Sequence, residues 1–301
     1  MPFFAEKPLD IIGKSHIFLD FTHLSQYNDN AVLWVRMPML RYSASATPKF
    51  TKREGLRAMK TQFFADIHTH LLPATDDGAQ DAETALAMVR MAYEEGTRAM
   101  ILTPHYREQY RRNTPAALRE RFDAFRQAVN EILPDLKLYL GSEVQYQMDV
   151  FQLLQNGEVL SLCDSRYVLL EFRGNALRSR VVAGVAEARQ FGYVPIIAHA
   201  ELCEVIRKDP TLRAEIAAMG ARLQINADSV VGKRGLATKW FCGKLLHDQQ
   251  VSFVASDAHD AQIRTPQLKE AYQLVQRRYG EEYAGRIFNV NARAVMENRL
   301  F

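Results

Sequence analysis

Aspartate and histidines alternate in the run Asp66-Ile67-His68-Thr69-His70, directly after the apolar stretch Phe63-Phe64-Ala65. Side chains two apart in an extended strand share a face, so this spacing predicts Asp66, His68 and His70 on one side and Ile67 on the other. Two imidazoles on one face supply half of a metal site, but they are equally an ordinary hydrogen-bonded strand end. Four further segments weigh toward the metal: Thr103-Pro104-His105, Gly141-Ser142-Glu143, Ala198-His199-Ala200-Glu201 and Ser256-Asp257-Ala258-His259. Each ends a short apolar run in a residue able to ligate.

The candidate donors are imidazoles and carboxylates, with no thiolate among them. That set disfavours a cysteine-type structural zinc site and favours Mn²⁺, Fe²⁺, Mg²⁺ or Zn²⁺ in a catalytic cluster with open positions. The five histidines His68, His70, His105, His199 and His259, with at least four carboxylates, are too many for one ion. At three to four ligands each they would serve two or three, with a carboxylate such as Glu143 as a natural bridge. Arginines are candidates for the oxygens of a phosphate group, because the planar guanidinium pairs with them bidentately. Arg264 follows His259 closely, whereas Arg107, Arg111 and Arg112 either rim the same pocket or form a solvated basic loop.

Other polar residues have plainer roles. Asp66 reads as a partner that orients His70 or His199 rather than as a ligand. Asp76 reads as a cap of the turn at Gly78. Glu171, in Val168-Leu169-Leu170-Glu171-Phe172, would be a costly unpaired carboxylate at the end of a buried strand, which a metal would relieve. Glu201 either shares the face of His199 or starts a surface helix, and His247 reads as a solvated residue at a helix C-terminus. Nucleophilic catalysis by a cysteine thiolate with an arginine six residues later is set aside: the residues six positions after Cys163, Cys203 and Cys242 are Leu169, Asp209 and Asp248.

These residues need a scaffold that brings distant segments together. Apolar, strand-like runs fall at 63–68, 98–103, 136–142, 167–172, 194–198, 222–226 and 251–256. Helical segments lie between them. Residues 82–95 follow the cap Asp81 and stop at Gly96, and residues 115–133 open with Pro115 after Thr114 and carry Leu118, Phe122, Phe125 and Val129 on one face. Alternating β and α elements imply parallel strands. Seven strands in residues 59–301 predict an α/β barrel, since such barrels occupy roughly 250 residues and assemble their sites at the C-terminal strand ends. The candidate ligands all fall at or just past those ends. Residues 1–58 lack a sustained period and include the linker-like run 42–53, so they read as a poorly ordered extension or as sequence upstream of the true start. His16 and His23 lie there without a ligand-type neighbour.

The chain of 301 residues is 48% hydrophobic and 24% charged, enough to bury a large core. Its net charge of +3 is spread among acids rather than gathered in one run, which makes no demand for nucleic acid and remains compatible with anionic substrates. The odd count of cysteines, 3, argues against a disulfide framework and for a reducing cytoplasm. No apolar run approaches the roughly 18 residues of a membrane span, and no signal-peptide pattern opens the chain.

The ordered set Asp66-Ile67-His68-Thr69-His70 with Asp76-Asp77-Gly78, then Thr103-Pro104-His105, Gly141-Ser142-Glu143, Glu171-Phe172, Ala198-His199 and Ser256-Asp257-Ala258-His259 resembles the polymerase and histidinol phosphatase (PHP) superfamily. More closely it resembles the manganese-dependent protein-tyrosine phosphatases of bacterial capsule and exopolysaccharide operons, over residues 62–298 and including the run from Asn226 to Gly235. The resemblance implies a distorted (β/α)₇ barrel holding Mn²⁺, with His68, His70, Glu143 and Asp257 on one ion, Glu143, Glu171 and His199 on a second, and Asp77, His105 and His259 on a third. It also implies hydrolysis of phosphotyrosine by metal-activated hydroxide, with Asp257, His259 and Arg264 in the catalytic machinery, and an autophosphorylating tyrosine kinase as protein partner. One departure stands out: those phosphatases often read Ala-His-Pro-Glu-Arg where this chain reads Ala198-His199-Ala200-Glu201-Leu202, leaving leucine in place of an arginine. Alternatives compatible with the same donors are a small-metabolite phosphatase such as a histidinol phosphatase, and a metal-binding module without catalysis.

Overall fold

A computed structural model describes residues 63–110 and 113–301. The extension read at 1–58 and the arginines at 111 and 112 lie outside the described residues. Strands β1 (Phe64–Thr69), β2 (Thr97–Leu102), β3 (His105–Tyr106), β4 (Lys137–Leu140), β5 (Glu143–Gln145), β6 (Tyr167–Glu171), β7 (Val194–Ile197), β8 (Arg222–Asn226) and β9 (Val251–Ala255) form two sheets, with strand orders β1-β2-β4 and β3-β5-β6-β7-β8-β9. Every ladder is parallel. Both caps expected at helix starts form: Asp81 accepts the Thr84 N–H at 2.7 Å before the helix Ala82–Glu95, and Thr114 accepts that of Ala117 at 3.3 Å before Pro115–Ile132.

The short strands β3 and β5 have no counterpart in the apolar runs. They continue the lines of β2 and β4 past breaks at Thr103-Pro104 and Gly141-Ser142. Pro104 has no N–H to give a ladder. At Gly141 a Cβ would meet Leu162 Cδ2 at 2.8 Å, so the chain passes too close to its neighbour for a side chain. After the breaks the register sets His105 directly opposite Glu143, and two ligand candidates from separate crossovers face each other.

The parallel α/β class expected from the sequence is therefore present, but the ladders do not run as one closed ring. Between β9 and β1 a single parallel bridge joins Thr69 to Ala258, flanked by bonds from Asp257 N to His68 O and from His70 N to Ala258 O, both 2.9 Å. The seam has this form because the backbone leaves the extended region at Asp257, whose φ is 53°. The register also slips between Asp66 and Thr69, yet His68 and His70 still project to one side as expected, where their Nε2 atoms meet.

Helices pack outside the strands. Leu118, Phe122 and Val129 of one helix meet Met88 and Val89 of another over Met100 and Leu102 of β2. A separate cluster joins Ala65 and Ile67 of β1 and Ile101 of β2 to Leu169, Ile196 and Phe253 of the other sheet. Apart from Ala65, each of these buried side chains contributes roughly 1.5–3 kcal/mol relative to exposure. This shared interior holds the strand ends, and hence the ligand candidates, in one place.

Candidate metal centre

At the C-terminal ends of the strands the imidazoles of His68 and His70 approach edge to edge, with their Nε2 atoms 3.1 Å apart. Each ring is held from its other nitrogen. His68 Nδ1 lies 3.1 Å from Gln224 Oε1 and His70 Nδ1 lies 2.7 Å from Asp76 Oδ2. Both acceptors take a proton from Nδ1, so with both rings neutral, as metal ligation requires, two Nε2 lone pairs face each other. Without a cation that arrangement is repulsive. Nitrogens bound about 2.0–2.1 Å from one ion at a right angle would lie roughly 3 Å apart, the spacing seen here.

The carboxylates complete the arrangement. Glu143 Oε2 lies 3.4 Å from His68 Nε2, 3.3 Å from His70 Nε2 and 2.8 Å from His105 Nδ1, while its Oε1 is 2.7 Å from His199 Nε2. Asp257 Oδ1 stands 3.4 and 3.6 Å from the same pair of Nε2 atoms. Asp77 Oδ1 is 3.3 Å from His105 Nε2 and 3.7 Å from His259 Nε2. Glu171 Oε1 is the outlying member, 3.9 Å from His199 Nε2. Glu143 Oε2 and His105 Nδ1 are fully buried yet make no well-directed hydrogen bond, although they nearly touch. Atoms that converge without bonding one another are what a shared cation would organise.

All nine candidate ligands thus come together. The tightest groupings, with ligand atoms within 4.8 Å of one another, are His70/Asp77/His105/His259, His68/His70/Glu143 and His105/Glu143/Glu171. They differ from the division expected by resemblance in that His70 belongs to two groups and His105 sits with Glu143 and Glu171.

Protons take the place of cations in this geometry. Burial alone would raise the Glu143 carboxyl, but the imidazoles of His68 and His105 hold it well below the ordinary value. Burial likewise works against a charged His105, and the Glu143 carboxylate overrides it, pushing the group up to about 11. His259 is depressed to about 3 by burial and by the adjacent His70. Divalent ions bind the deprotonated forms and would displace these protons.

Several plain readings need correction. Asp66 orients neither His70 nor His199: its Oδ1 accepts the backbone N–H groups of His68 at 3.3 Å and Ser256 at 3.2 Å, bracing the register slip, and burial lifts its carboxyl to about 6. The orienting role belongs to Asp76, which also caps Gly78 N–H as expected. Glu201 is completely buried and accepts the Asn226 N–H at 3.1 Å, so it does not lie at the surface, and it belongs to none of the groups of converging ligand atoms. Arg264 reaches the centre through Asp257, its Nη2 being 2.7 Å from Oδ2. Arg107 stands at the rim, 3.1 Å from Asp77 Oδ2. His247 is exposed in the last turn of the helix Leu236–His247. Sequence reasoning missed Gln224 and Arg234, the latter bonded to Asp228 at 2.6 Å and 3.9 Å from Asp257; the run from Asn226 to Gly235 was the available signal for the arginine.

Fold and site together define a parallel α/β protein with a histidine–carboxylate cluster at its strand ends that could hold metal ions. A family model described as capsular polysaccharide synthesis, CpsB/CapC, matches residues 64–297, and the chain belongs to that family. The tyrosine-protein phosphatase YwqE of Bacillus subtilis is 35% identical over 218 residues, 72% of this chain and 85% of that protein. The tyrosine-protein phosphatase CpsB of Streptococcus pneumoniae is 29% identical over 78% of this chain and 99% of its own length. A crystal structure from the study of YwqE and CpsB, described there as unique metal-dependent tyrosine phosphatases, superposes with a TM-score of 0.75 at 33% identity, covering 79% of this chain and 96% of that one.

Proposed function

We propose that this protein is a metal-dependent protein-tyrosine phosphatase of capsule or exopolysaccharide synthesis, acting on an autophosphorylating tyrosine kinase. The observation that carries this reading is the pair of inward-facing Nε2 atoms of His68 and His70, 3.1 Å apart amid Glu143 and Asp257, in a chain 35% identical to a tyrosine phosphatase. Two or three Mn²⁺ ions suit the donors, held by His68, His70, Asp77, His105, Glu143, Glu171, His199, Asp257 and His259, with Fe²⁺, Mg²⁺ or Zn²⁺ as alternatives of similar ligand preference. The strands carrying these residues form a distorted (β/α)₇ barrel, a reading supported by the core cluster shared between the two sheets. The free cysteines Cys163, Cys203 and Cys242 suit a cytoplasmic setting, and no helix among the described residues is long and apolar enough to cross a membrane.

When bound, the ions supply Lewis acidity toward a phosphoryl oxygen and lower the pKa of water toward neutrality. The chain does the rest. Asp76 and Gln224 keep the proton of His70 and His68 on Nδ1, so each Nε2 is free to ligate. Glu143 spans the centre, with one oxygen toward His199 and the other toward His68, His70 and His105. Arg264 and Arg107, one on Asp257 and the other on Asp77, are placed to receive non-bridging phosphate oxygens. A phenolate leaving group, of pKa about 10, departs with little protonation, so a strong general acid is not required of the site.

The test is hydrolysis by the purified Mn²⁺ protein of a phosphotyrosyl peptide, a phosphoseryl peptide and histidinol phosphate. The phosphotyrosyl peptide should have the highest kcat/KM, and chelation should abolish turnover. His199→Ala and Glu143→Ala should each lose bound metal and nearly all activity. Preferential hydrolysis of histidinol phosphate would overturn the substrate assignment, and full activity in a metal-free enzyme would overturn the mechanism.

A further inference from the structure

Two buried amides on β8, Gln224 and Asn226, connect the ligand candidates His68 and His199 to Asp257. Both side chains are completely inaccessible to solvent, and their i, i+2 spacing puts them on one face of the strand. Gln224 Oε1 receives two contacts: the backbone N–H of His199 at 2.8 Å and His68 Nδ1 at 3.1 Å. Gln224 Nε2 donates to Asn226 Oδ1 at 2.8 Å, and Asn226 Nδ2 donates to Asp257 Oδ2 at 2.8 Å.

The direction of this chain follows from its first member. A backbone N–H donates and never accepts, so the Gln224 atom beside His199 is oxygen. The same oxygen faces His68, which places the proton on Nδ1 and leaves Nε2 as a lone pair directed at the centre. The amide nitrogen of Gln224 must then donate, Asn226 Oδ1 must accept, and Asn226 Nδ2 is turned toward Asp257. Asp257 Oδ2, already bonded to Arg264, is thereby taken up, and Oδ1 is left facing His68, His70 and His259 at 3.4, 3.6 and 3.6 Å. The relay also ties two backbone positions of unusual conformation, His199 at φ 29° and Asp257 at φ 53°. A residue with φ above zero that is neither glycine nor asparagine persists where its surroundings hold it. Glu201 anchors the far end through the Asn226 N–H.

We infer that Gln224 and Asn226 are positioning residues for metal binding, a directional amide relay that sets the tautomer of His68 and the presented oxygen of Asp257 together. This rests on the metal-centre part of the proposed function, and it is independent of which phosphate ester is hydrolysed. Nonpolar packing alone would not need the order of donors and acceptors; the relay does.

Two substitutions separate its halves. Gln224→Glu keeps an acceptor for His68 and His199 but has no N–H for Asn226, so it breaks only the Asp257 half. Gln224→Leu removes both. Mn²⁺ dissociation constants, measured by chelator competition without substrate, should rise about 10–100-fold in each variant, the usual cost of losing a partner behind a metal ligand. In the Zn²⁺-loaded protein with ¹⁵N-labelled histidine, the Nδ1–H resonance of His68 should persist in Gln224→Glu and vanish in Gln224→Leu. Wild-type Mn²⁺ affinity in both variants overturns the relay, as does loss of the His68 resonance in Gln224→Glu. Should Gln224→Leu fail to fold, Gln224→Glu decides alone on affinity and resonance. Failure of the native protein to bind Mn²⁺ would sink the metal centre itself, whereas wild-type binding with unaffected variants sinks only the relay.

Discussion

His70 Nδ1 lies 2.7 Å from Asp76 Oδ2, and the same oxygen accepts the backbone N–H of His105 at 2.9 Å. One buried carboxylate thus fixes a ring just past the end of β1 and the start of β3 at once, while its other oxygen closes the turn at Gly78. Asp76→Ala should weaken Mn²⁺ binding about 10–100-fold, as loss of a partner behind a metal ligand usually does. Asp76→Asn, able to accept but uncharged, should fall between it and the native protein. Isothermal titration with Mn²⁺ checks the order, and equal affinity in all three would show that Asp76 is incidental.

Gly78 allows that turn to close. A Cβ there would stand 1.9 Å from His70 O and 2.5 Å from His70 Cβ, distances that no rotamer change relieves because the obstacle is backbone. Gly78→Ala should therefore displace His70, lower the melting temperature and reduce metal content, with a cost of about 1–3 kcal/mol or more for overpacking. Unchanged stability and metal content by denaturation and elemental analysis would contradict the turn.

The His70–Asp76 pair makes the metal-free protein pH-sensitive in both directions. Burial opposes the charge on His70, but the Asp76 carboxylate overcomes it and raises the group from 6.5 to about 9. The stabilisation is full below 6.5 and is lost as pH rises through about 9. Burial would raise Asp76, but His70 lowers it from 3.8 to about 2, so the contribution is present above 3.8 and is lost as pH falls through about 2. Chelated protein should melt highest between about 4 and 6.5 and progressively lower on either side. Mn²⁺ affinity should instead climb between pH 6.5 and 9, because ligation needs the proton removed from the imidazole. Falling affinity over that range would exclude His70 as a ligand.

Two arginines divide the rim. Leu202, at the position where the resemblance implies arginine, offers no guanidinium to a phosphate, so Arg264 and Arg107 should carry that work. Arg107→Ala should raise KM with bound metal unchanged. Arg264→Ala should cost about 1.5–3 kcal/mol in kcat/KM, the range for a charged hydrogen bond, and Arg264→Lys should recover part of it. Arg264 also bonds Asp257, so its alanine variant should lose some metal as well. Steady-state kinetics with elemental analysis separate the two effects; unaltered kcat/KM in both alanine variants would remove the arginines from the mechanism.

A chain starting at Met59 should fold, bind Mn²⁺ and hydrolyse aryl phosphate like the full chain. The family match spans 64–297, and the described core clusters and candidate ligands lie within residues 63–301. An insoluble or metal-free truncation would give residues 1–58 a structural role.

The chemistry of the site was legible in the chain because ligand residues sit at the ends of apolar runs, a local signal. His68, His70, His105, Glu143, His199, Asp257 and His259 each follow such a run, and all converge within the centre. The elements were legible for the same reason: the caps Asp81 and Thr114 and the alternating runs are encoded within a few residues. What lay hidden involved contacts distant in sequence. Gln224 sits 156 positions from His68, and nothing in its own strand marks it as the acceptor that sets a tautomer.

By itself, then, the sequence determined the parallel α/β class, the donor set and the strand ends that carry it, since hydrophobic period and residue type are short-range properties. The tertiary structure alone decided that Asp76 rather than Asp66 orients His70, that Glu201 is buried, and that β3 and β5 rotate His105 against Glu143. It also decided the single-bridge seam beside Asp257. Those outcomes depend on which buried polar groups meet across the fold, where each donor must find an acceptor, and no periodicity along one strand specifies the partner on another.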